Sequence, residues 1–397
     1  MCVEGFALNV VRQAGSKHCL GVADSPSGIH CTSDLLSVHM RRFCLLFFLA
    51  CIIGTTAAAG PSSAPKLYVC NQGEATVSII DMASQSVETT VDLTERGFSE
   101  NAKPHHVVAE PDGSHWYVTL IGANTILKFN RENEIVGRLS SFEVPGLLAI
   151  DTASDRLYAG RSMSAVDPPK SIGVIDRSTM TLSEEIDTFF PRPHPLSVTD
   201  SGAHAFVASL ATNQLMGIDT AAGETALTRL GGTTQTLVQF AMTPDGSTLI
   251  GGGQRTGRLL LFDATEAPAL SVTDTLKVGR EPWHPVISGD GTTAYVPNKH
   301  SHSISVVDLT NAGVTTTIEG NGLAQPHGTA LSPDGRYLFV SNNNRDGTYT
   351  PTGDTPEAGT VTVIDTRANE ITTVIEVGTY PTGIGTVGGQ RATGSDR

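Results

Sequence analysis

Short apolar runs alternate with tight turns along the chain, in a pattern that repeats. In residues 325–342, the apolar run 329–332 precedes Pro333-Asp334-Gly335, and a second run, 337–341, follows the turn. Asp-Gly between two β-rich runs predicts a hairpin, because glycine readily adopts the positive φ that the turn needs. The same pattern recurs from Pro104, Pro193, Leu237 and Pro282, and in a weaker form from Pro145.

Each repeat continues beyond its hairpin in the same way. A third predicted strand ends in a hydrophobic residue followed by aspartate, as in TVSIID at 76–81, SISVVD at 303–308 and TVTVID at 360–365. A fourth, more polar run follows, for example residues 86–93, and its polarity suits an outer strand that meets solvent. Four antiparallel strands in each repeat of about 40–50 residues predict the blade of a β-propeller.

The repeats count to seven. Six full repeats begin near Pro104, Pro145, Pro193, Leu237, Pro282 and Pro326, while residues 66–93 supply three more strands and residues 380–387 one. We predict that the two ends of the chain share the seventh blade, which closes the ring and removes exposed sheet edges. The predicted fold is therefore an all-β, seven-bladed β-propeller over residues 60–390, with four antiparallel strands per blade. Residues 391–397 are predicted to be a disordered tail, and we expect a monomer.

The first 59 residues carry no repeat. A basic start at 40–42, an apolar run at 43–54 and small residues at 57–59 predict a secretory signal peptide over 40–59. The apolar run is too short to span a bilayer, which takes about 20 residues. Residues 1–39 are interpreted as an extension from an upstream start assigned in error. The protein is thus expected in the periplasm or outside the cell, with a lipid anchor on Cys51 as the alternative.

Charge and cysteine content narrow the function. The net charge of −14 repels phosphate backbones, which argues against nucleic-acid binding. Of the six cysteines, only Cys70 follows the predicted cleavage site, so the exported domain is expected to have no disulfide. Cys70 lies in a predicted strand, and no G-x-S-x-G turn occurs. No catalytic residue can therefore be named.

Histidines concentrate at one end of the predicted ring, which we call the His-rich face. In an antiparallel blade, the loop before strand one and the loop between strands two and three lie at the same end. Five histidines precede or begin innermost strands: His105, His106, His194, His284 and His327. His300 and His302, which are further candidate metal ligands, lie in a loop between strands two and three. Because innermost strands surround the axis, the first five are expected to converge there.

The repeats resemble the YVTN family of β-propeller proteins. Residues 326–342, PHGTALSPDGRYLFVSN, and 360–365, TVTVID, carry the family's pattern, and the resemblance covers residues 66–387. It implies an exported binding or scaffold protein. More distantly, the chain looks like the propeller domains of nitrous oxide reductase, methanethiol oxidase and cytochrome-type nitrite reductases. The first two are thought to hold copper through histidines at the propeller mouth, which implies the same role for the five histidines here.

The histidines have two interpretations. The first interpretation is a copper site, because neutral imidazole is a common ligand of copper and zinc. Its ligands would be His105, His106, His194, His284 and His327. The other is structural, with Pro-His as a cap in which imidazole bonds the backbone of a neighbouring blade. Gly146, Val238 and Thr382 replace histidine at the first of these repeat positions, so the ring of ligands is incomplete.

Two insertions lie on the His-rich face. Asn342, Asn344 and Asp346 place oxygen atoms at alternate positions before Gly347, as at the start of a calcium loop, but the closing glutamate is missing. The alternative is an ordinary Asn/Gly-rich loop that acts as a lid over the His-rich face. Residues 161–170 form the second insertion. Two long loops at one end favour a binding mouth there.

These observations favour an exported propeller that binds a small ligand, a metal or a protein partner at its His-rich face. The alternative is a periplasmic copper-dependent oxidoreductase with a multi-histidine site at the axis. A third hypothesis, a lactonase-type hydrolase, requires a carboxylate-lined calcium site, whereas Glu281 is the single acid found at the strand starts.

Overall fold

A computed structural model describes residues 65–164 and 166–386 of the 397-residue chain. The predicted extension (1–39), the signal peptide (40–59) with Cys51, and the tail (391–397) lie outside the described residues. Among the described residues, no helix is long and apolar enough to cross a membrane.

The described strands form seven four-stranded antiparallel sheets. The chain begins with β1 (Lys66–Asn71), β2 (Thr76–Asp81) and β3 (Ser86–Asp92). Blade 1 contains β4 (Pro104–Ala109), β5 (His115–Leu120), β6 (Thr125–Asn130) and β7 (Ile135–Ser140). Blade 2 contains β8 (Pro145–Ile150), β9 (Arg156–Arg161), β10 (Ser171–Asp176) and β11 (Thr181–Asp187). Blade 3 contains β12 (Pro193–Val198), β13 (His204–Ser209), β14 (Gln214–Asp219) and β15 (Thr225–Arg229).

The second half of the ring repeats this arrangement. Blade 4 contains β16 (Leu237–Met242), β17 (Thr248–Gly253), β18 (Arg258–Asp263) and β19 (Ser271–Lys277). Blade 5 contains β20 (Val286–Ile287), β21 (Thr293–Asn298), β22 (Ser303–Asp308) and β23 (Gly313–Glu319). Blade 6 contains β24 (Pro326–Leu331), β25 (Tyr337–Asn342), β26 (Ala358–Asp365) and β27 (Glu370–Thr379), and the last strand is β28 (Pro381–Thr386). Short 3₁₀ helices occur at Ile121–Ala123 and Lys299–Ser301.

The two chain ends share blade 7, as the repeat count predicts. Its strand order is β28-β1-β2-β3, and β28 pairs antiparallel with β1 through Leu67 opposite Thr386 and Tyr68 opposite Gly385. The predicted seven-bladed, all-β fold is confirmed.

The core lies between neighbouring blades. Trp116 of blade 1 stacks on Phe129 at 3.9 Å between ring centroids and on Tyr68 of blade 7 at 5.0 Å. Phe206 of blade 3 packs in one cluster with Phe240 and Phe262 of blade 4. Fourth strands are largely exposed, as in β3 and β11, because one of their edges and much of both faces meet solvent.

Buried asparagines at the end of second strands join them to the third strands. Asn71 Nδ2 donates to Thr76 Oγ1 at 2.9 Å and to Ser78 Oγ at 2.8 Å. Asn298 and Asn342 make equivalent bonds to hydroxyls of β22 and β26. The asparagine of the repeat is therefore a structural residue in these three blades.

Candidate functional site

Five histidines from four blades gather at one end of the axis, and we call them the His layer: His105, His106, His194, His284 and His327. All are buried, with 3–6% of each residue exposed. Ring centroids lie 5.9 Å apart for His105 and His194, 6.1 Å for His106 and His284, and 4.7 Å for His284 and His327. The start of the innermost strand thus brings together residues separated by more than two hundred positions.

Some of these rings also hold the blades together. His106 Nδ1 accepts a hydrogen bond from the backbone N–H of Leu148 in blade 2 at 3.1 Å. Gln239, which occupies the same repeat position in blade 4, accepts from the N–H of Leu196 in blade 3 through Oε1 at 3.3 Å. His106 therefore acts as the structural cap of the second interpretation, with its imidazole bonded to the backbone of a neighbouring blade.

Other imidazole nitrogens remain without a partner. His105 Nδ1 lies 3.0 Å from Gln72 Oε1 of blade 7, and His194 Nδ1 lies 2.6 Å from Ser162 Oγ. Among the described residues, no group hydrogen-bonds His105 Nε2, His284 Nε2 or His327 Nδ1, although all three atoms are buried. These three nitrogens could form a hydrogen bond or a metal bond with a ligand that reaches the layer.

The His layer is neutral at pH 7. Burial, and next the charge of Lys299, lowers the pKa of His105 to about 4, and burial with the nearby His105 lowers that of His106 to about 3. Burial likewise holds the pKa of His194, His284 and His327 well below 6.5. The cause is the loss of hydration of the charged form.

The chemistry of the layer suits copper or zinc, but its spacing does not. Neutral imidazoles with unpartnered nitrogens are good ligands for these metals. Within the described residues, however, no group of three or more His, Cys, Asp or Glu side chains is placed to hold a metal ion. The rings would have to rearrange before they could bind one together.

A set of aromatic and cationic side chains covers the outer side of the layer, and we call it the cationic mouth: Trp283, Lys299, Arg345 and Tyr380. The Trp283 ring lies 5.1 Å from that of His327. The Lys299 ammonium lies 4.5 Å from the centroid of Trp283 and 6.0 Å from that of Tyr380. The Arg345 guanidinium lies 4.7 Å from Tyr380, so both cations contact one aromatic ring.

The cations of the mouth lack an ion-pair partner among the described residues, although the charge of Glu281 acts on Lys299. Burial lowers the pKa of Lys299 to about 8; the negative charge of Glu281 opposes this shift, and repulsion by Arg345 adds to it. Within residues 65–164 and 166–386, neither Lys299 nor Arg345 forms an ion pair. Glu376 is engaged elsewhere, since it accepts hydrogen bonds from residues 349–353.

The other predicted histidines lie apart from the layer. His300 is exposed. His302 Nδ1 accepts from the N–H of Gln325 at 3.2 Å, and its Nε2 lies 3.3 Å from Asp346 Oδ2. His302 therefore joins blade 5 to the insertion of blade 6.

The residues of the predicted calcium loop shape this insertion. Asn342 Nδ2 donates to Val340 O at 2.8 Å, inside the blade. Asn344 Oδ1 accepts from the N–H of Tyr349 at 2.9 Å, and its Nδ2 donates to Ala358 O at 3.0 Å. Asp346 Oδ1 accepts from Thr348. Calcium at this loop stays a prediction, and its oxygen atoms already have partners.

The second insertion is held by an arginine. Residues 162–170 connect β9 to β10, and Arg192 Nε donates to Ser162 O at 3.0 Å. The backbone N–H of Arg192 donates to Pro169 O at 3.3 Å. Arg192 thus places a cation close to His194 and opposes the protonation of that ring.

The fold and these residues define a seven-bladed β-propeller with a histidine-lined axial mouth. Its structure is similar to that of a functionally unknown protein from Desulfotomaculum acetoxidans DSM 771, with a TM-score of 0.66 and 13% identity over 81% of this chain and 99% of that one. It is also similar to Kuenenia stuttgartiensis hydrazine synthase, with a TM-score of 0.58 and 16% identity over 71% of this chain and 89% of that one. These low identities show the fold alone. No protein-family model and no curated protein matches the sequence.

Proposed function

We propose that this protein is a binding propeller that takes a small oxyanion, a carboxylate or a phosphate, at the cationic mouth above the His layer. The observation that carries the proposal is the pair Lys299 and Arg345, which share the ring of Tyr380 and form no ion pair within the described residues. They stand out because the whole chain has a net charge of −14.

An anion would supply what these side chains lack. Withdrawing an ammonium from water without a counter-ion costs free energy, and an oxyanion between the two cations would offset that cost. Hydrogen bonds between ionised groups are about twice as strong as neutral ones, and a guanidinium can bind an oxyanion through two N–H groups. The unpartnered His327 Nδ1, beneath Trp283, offers a neutral polar contact to the rest of the ligand.

Tryptophan fluorescence tests the proposal directly. The chain has two tryptophans, and Trp116 is buried in a blade while Trp283 contacts Lys299. Titration with phosphate and with succinate should give a saturable change in at least one case. Lys299→Met and Arg345→Met should each weaken binding about 10- to 100-fold, the effect of one charge-assisted hydrogen bond.

The matched control is Lys277→Met, which removes the same charge from an exposed position on the outermost strand of blade 4. It should bind like the unmodified protein. Absence of a saturable change with either anion, or equal affinity in all three variants, would refute anion binding at the mouth.

A copper-dependent oxidoreductase is the second candidate. It is favoured by the three buried imidazole nitrogens that have no partner among the described residues, and by the neutral state of the rings. Elemental analysis of protein from its native compartment tests it. Stoichiometric copper that is lost in the double variant His194→Ala, His327→Ala would support the enzyme. Metal-free protein with unchanged thermal stability would rule out the copper enzyme, and the binding propeller would be the remaining hypothesis.

We also propose that the protein is exported and belongs with the YVTN propellers. Export rests on the sequence of residues 40–59, and the family on the repeat at 326–342. Mass spectrometry of the secreted protein should find a new N-terminus near Gly60. A lipid-modified Cys51 would support the anchored alternative, and an intact residue 1 in the cytoplasm would contradict both.

A further inference from the structure

A cavity lies along the axis, on the other side of the His layer from the cationic mouth. It has a volume of about 270 Å³ and is lined by residues of the innermost strands of all seven blades. In blade 1 the lining extends from His106 to Pro111, that is, from the His layer to the hairpin turn at the opposite face. We call it the axial cavity.

Its walls are mainly apolar. Ile150, Leu196, Ile287 and Ile384 are among the lining residues. Of the described residues that line the cavity, Asp200, near the hairpin end, is the one with a carboxylate, and none is a lysine or an arginine. Such walls favour an uncharged, apolar occupant, because contact with them removes apolar surface from water.

The end at the His layer carries two hydrogen-bond donors. His106 Nδ1 accepts from Leu148, so the neutral ring carries its hydrogen on Nε2. Gln239 Oε1 accepts from the N–H groups of Leu196 and Phe240, and its amide N–H groups make no hydrogen bond to the described residues. Both side chains line the cavity. A ligand that reaches them must therefore present an acceptor.

We propose that the axial cavity binds a slender, uncharged molecule with an apolar chain and one carbonyl oxygen that accepts hydrogen bonds from His106 and Gln239. At about 30 Å³ for each water-sized atom group, the cavity holds a molecule of roughly nine non-hydrogen atoms. This site differs from the cationic mouth in position, in lining and in the charge of its ligand, so it goes beyond the anion-binding function.

The probe is 2-heptanone, measured by calorimetry and by saturation-transfer NMR on the intact protein. Heptylammonium is the contrasting probe, because it has an apolar chain of similar size but a charged head group that only donates hydrogen bonds. The ketone should bind with saturation, and heptylammonium should bind at least tenfold more weakly. Equal affinity for the two probes, or no saturable binding of the ketone, would overturn the proposal.

Two variants narrow the cavity and locate the ketone. Ala149 is half-buried in the lining, and Ser197 lines the cavity at the repeat position that carries Val108 in blade 1. Ala149→Leu and Ser197→Val should each weaken ketone binding at least tenfold, while the control Ala222→Leu, at an exposed loop, should leave it unchanged. Circular dichroism and thermal unfolding establish that each variant is folded.

The mouth variant Lys299→Met separates the two sites. The ketone should bind this variant like the unmodified protein, even if the anion proposal fails. Ketone binding that survives both narrowing variants, or that is lost with Lys299→Met, would place the ketone elsewhere and refute the axial site.

Discussion

His106 shows how one side chain serves both the ring and the site. Its Nδ1 accepts from Leu148 in the next blade, while Nε2 is left for a ligand. Gln239, at the same repeat position in blade 4, accepts through its side-chain oxygen from the N–H of Leu196 in the preceding blade. At this repeat position, a side-chain amide can therefore also accept a hydrogen bond from the backbone of a neighbouring blade. Substitution of His106 by glutamine can thus separate inter-blade bonding from ligand binding.

We predict that His106→Gln changes stability by less than about 1 kcal/mol, whereas His106→Leu lowers it by about 1–3 kcal/mol. The leucine leaves the buried N–H of Leu148 without an acceptor, and the glutamine does not. Urea unfolding at pH 7 measures both values. Equal losses in the two variants would contradict the inter-blade role of His106.

The neutral His layer makes the protein sensitive to acid. The native pKa values of His105 and His106 are about 4 and about 3, below the ordinary 6.5, so between these limits the unfolded chain binds protons that the native state does not. The free energy of unfolding therefore has its full value above pH 6.5. It decreases as the pH is lowered from 6.5 toward the native pKa values, by up to about 1.4 kcal/mol per pH unit for each such histidine.

Urea unfolding at pH 7, 6 and 5 tests this prediction. His105→Gln should show a shallower loss of stability than the unmodified protein, because one titrating group is gone. The control is His300→Gln, at an exposed position, which should keep the original slope. An unchanged slope in His105→Gln would contradict a neutral native His105.

At the scale of elements, a loop of blade 6 carries one cation of the mouth. Arg345 begins the insertion between β25 and β26, and Glu376 of β27 holds the middle of that insertion. Glu376 accepts from Tyr349 Oη at 2.8 Å and from the N–H groups of Thr352 at 2.6 Å and Gly353 at 2.8 Å. These donors lower the pKa of Glu376 to about 2.

We predict that Glu376→Ala speeds amide hydrogen exchange in residues 349–353 by about tenfold or more, with no change in β25 and β26. The reason is that one carboxylate supplies the acceptor for several donors, each worth about 1 kcal/mol or more. Glu370→Ala, at the exposed start of the same strand, is the control. Unchanged exchange in Glu376→Ala would show that other contacts hold the insertion.

The repeat predicts the elements and where the histidines lie, but only part of the mouth. The turn glycines Gly113, Gly202 and Gly335 fix the phase of their blades, and this phase places His105, His194 and His327 at equivalent positions. Trp283 occupies the same position in blade 5, so the repeat also predicts that Trp283 lies beside the histidines. Lys299 and Arg345 lie in loops outside the repeated strands, so no pattern marks them.

Contacts between blades also escape prediction from the sequence. Gln72 of blade 7 meets His105, and Tyr380, just before β28, lies near Arg345. Each contact depends on how neighbouring sheets turn relative to one another, which alternation within a strand does not encode. At the predicted calcium loop, by contrast, the sequence suggests a site from the spacing of Asn342 and Asn344. In the structure these side chains make hydrogen bonds inside blade 6.

At the scale of the whole molecule, β28 closes the ring. It pairs with β1 over residues 381–386, and Thr382 Oγ1 donates to His105 O of blade 1 at 3.1 Å. Loss of β28 would expose an edge of β1 and remove one wall of the axial cavity. Closure by strands from both chain ends therefore supports the site as well as the fold.

We predict that deletion of residues 381–397 abolishes the single cooperative unfolding transition and causes concentration-dependent association, because an unpaired strand edge pairs with other chains. Calorimetry and light scattering measure the two effects. A matched deletion of residues 388–397 keeps β28 and should behave like the full chain. A monomeric, cooperatively unfolding product of the longer deletion would contradict the role of closure.

The most direct test of anion binding at the His-rich face is an anomalous diffraction map from crystals soaked in arsenate, a phosphate analogue. We predict an arsenic peak between Lys299 and Arg345, above the ring of His327, that disappears in Lys299→Met. Arsenic peaks found only away from the axis, or a peak that persists unchanged in the variant, would contradict the account.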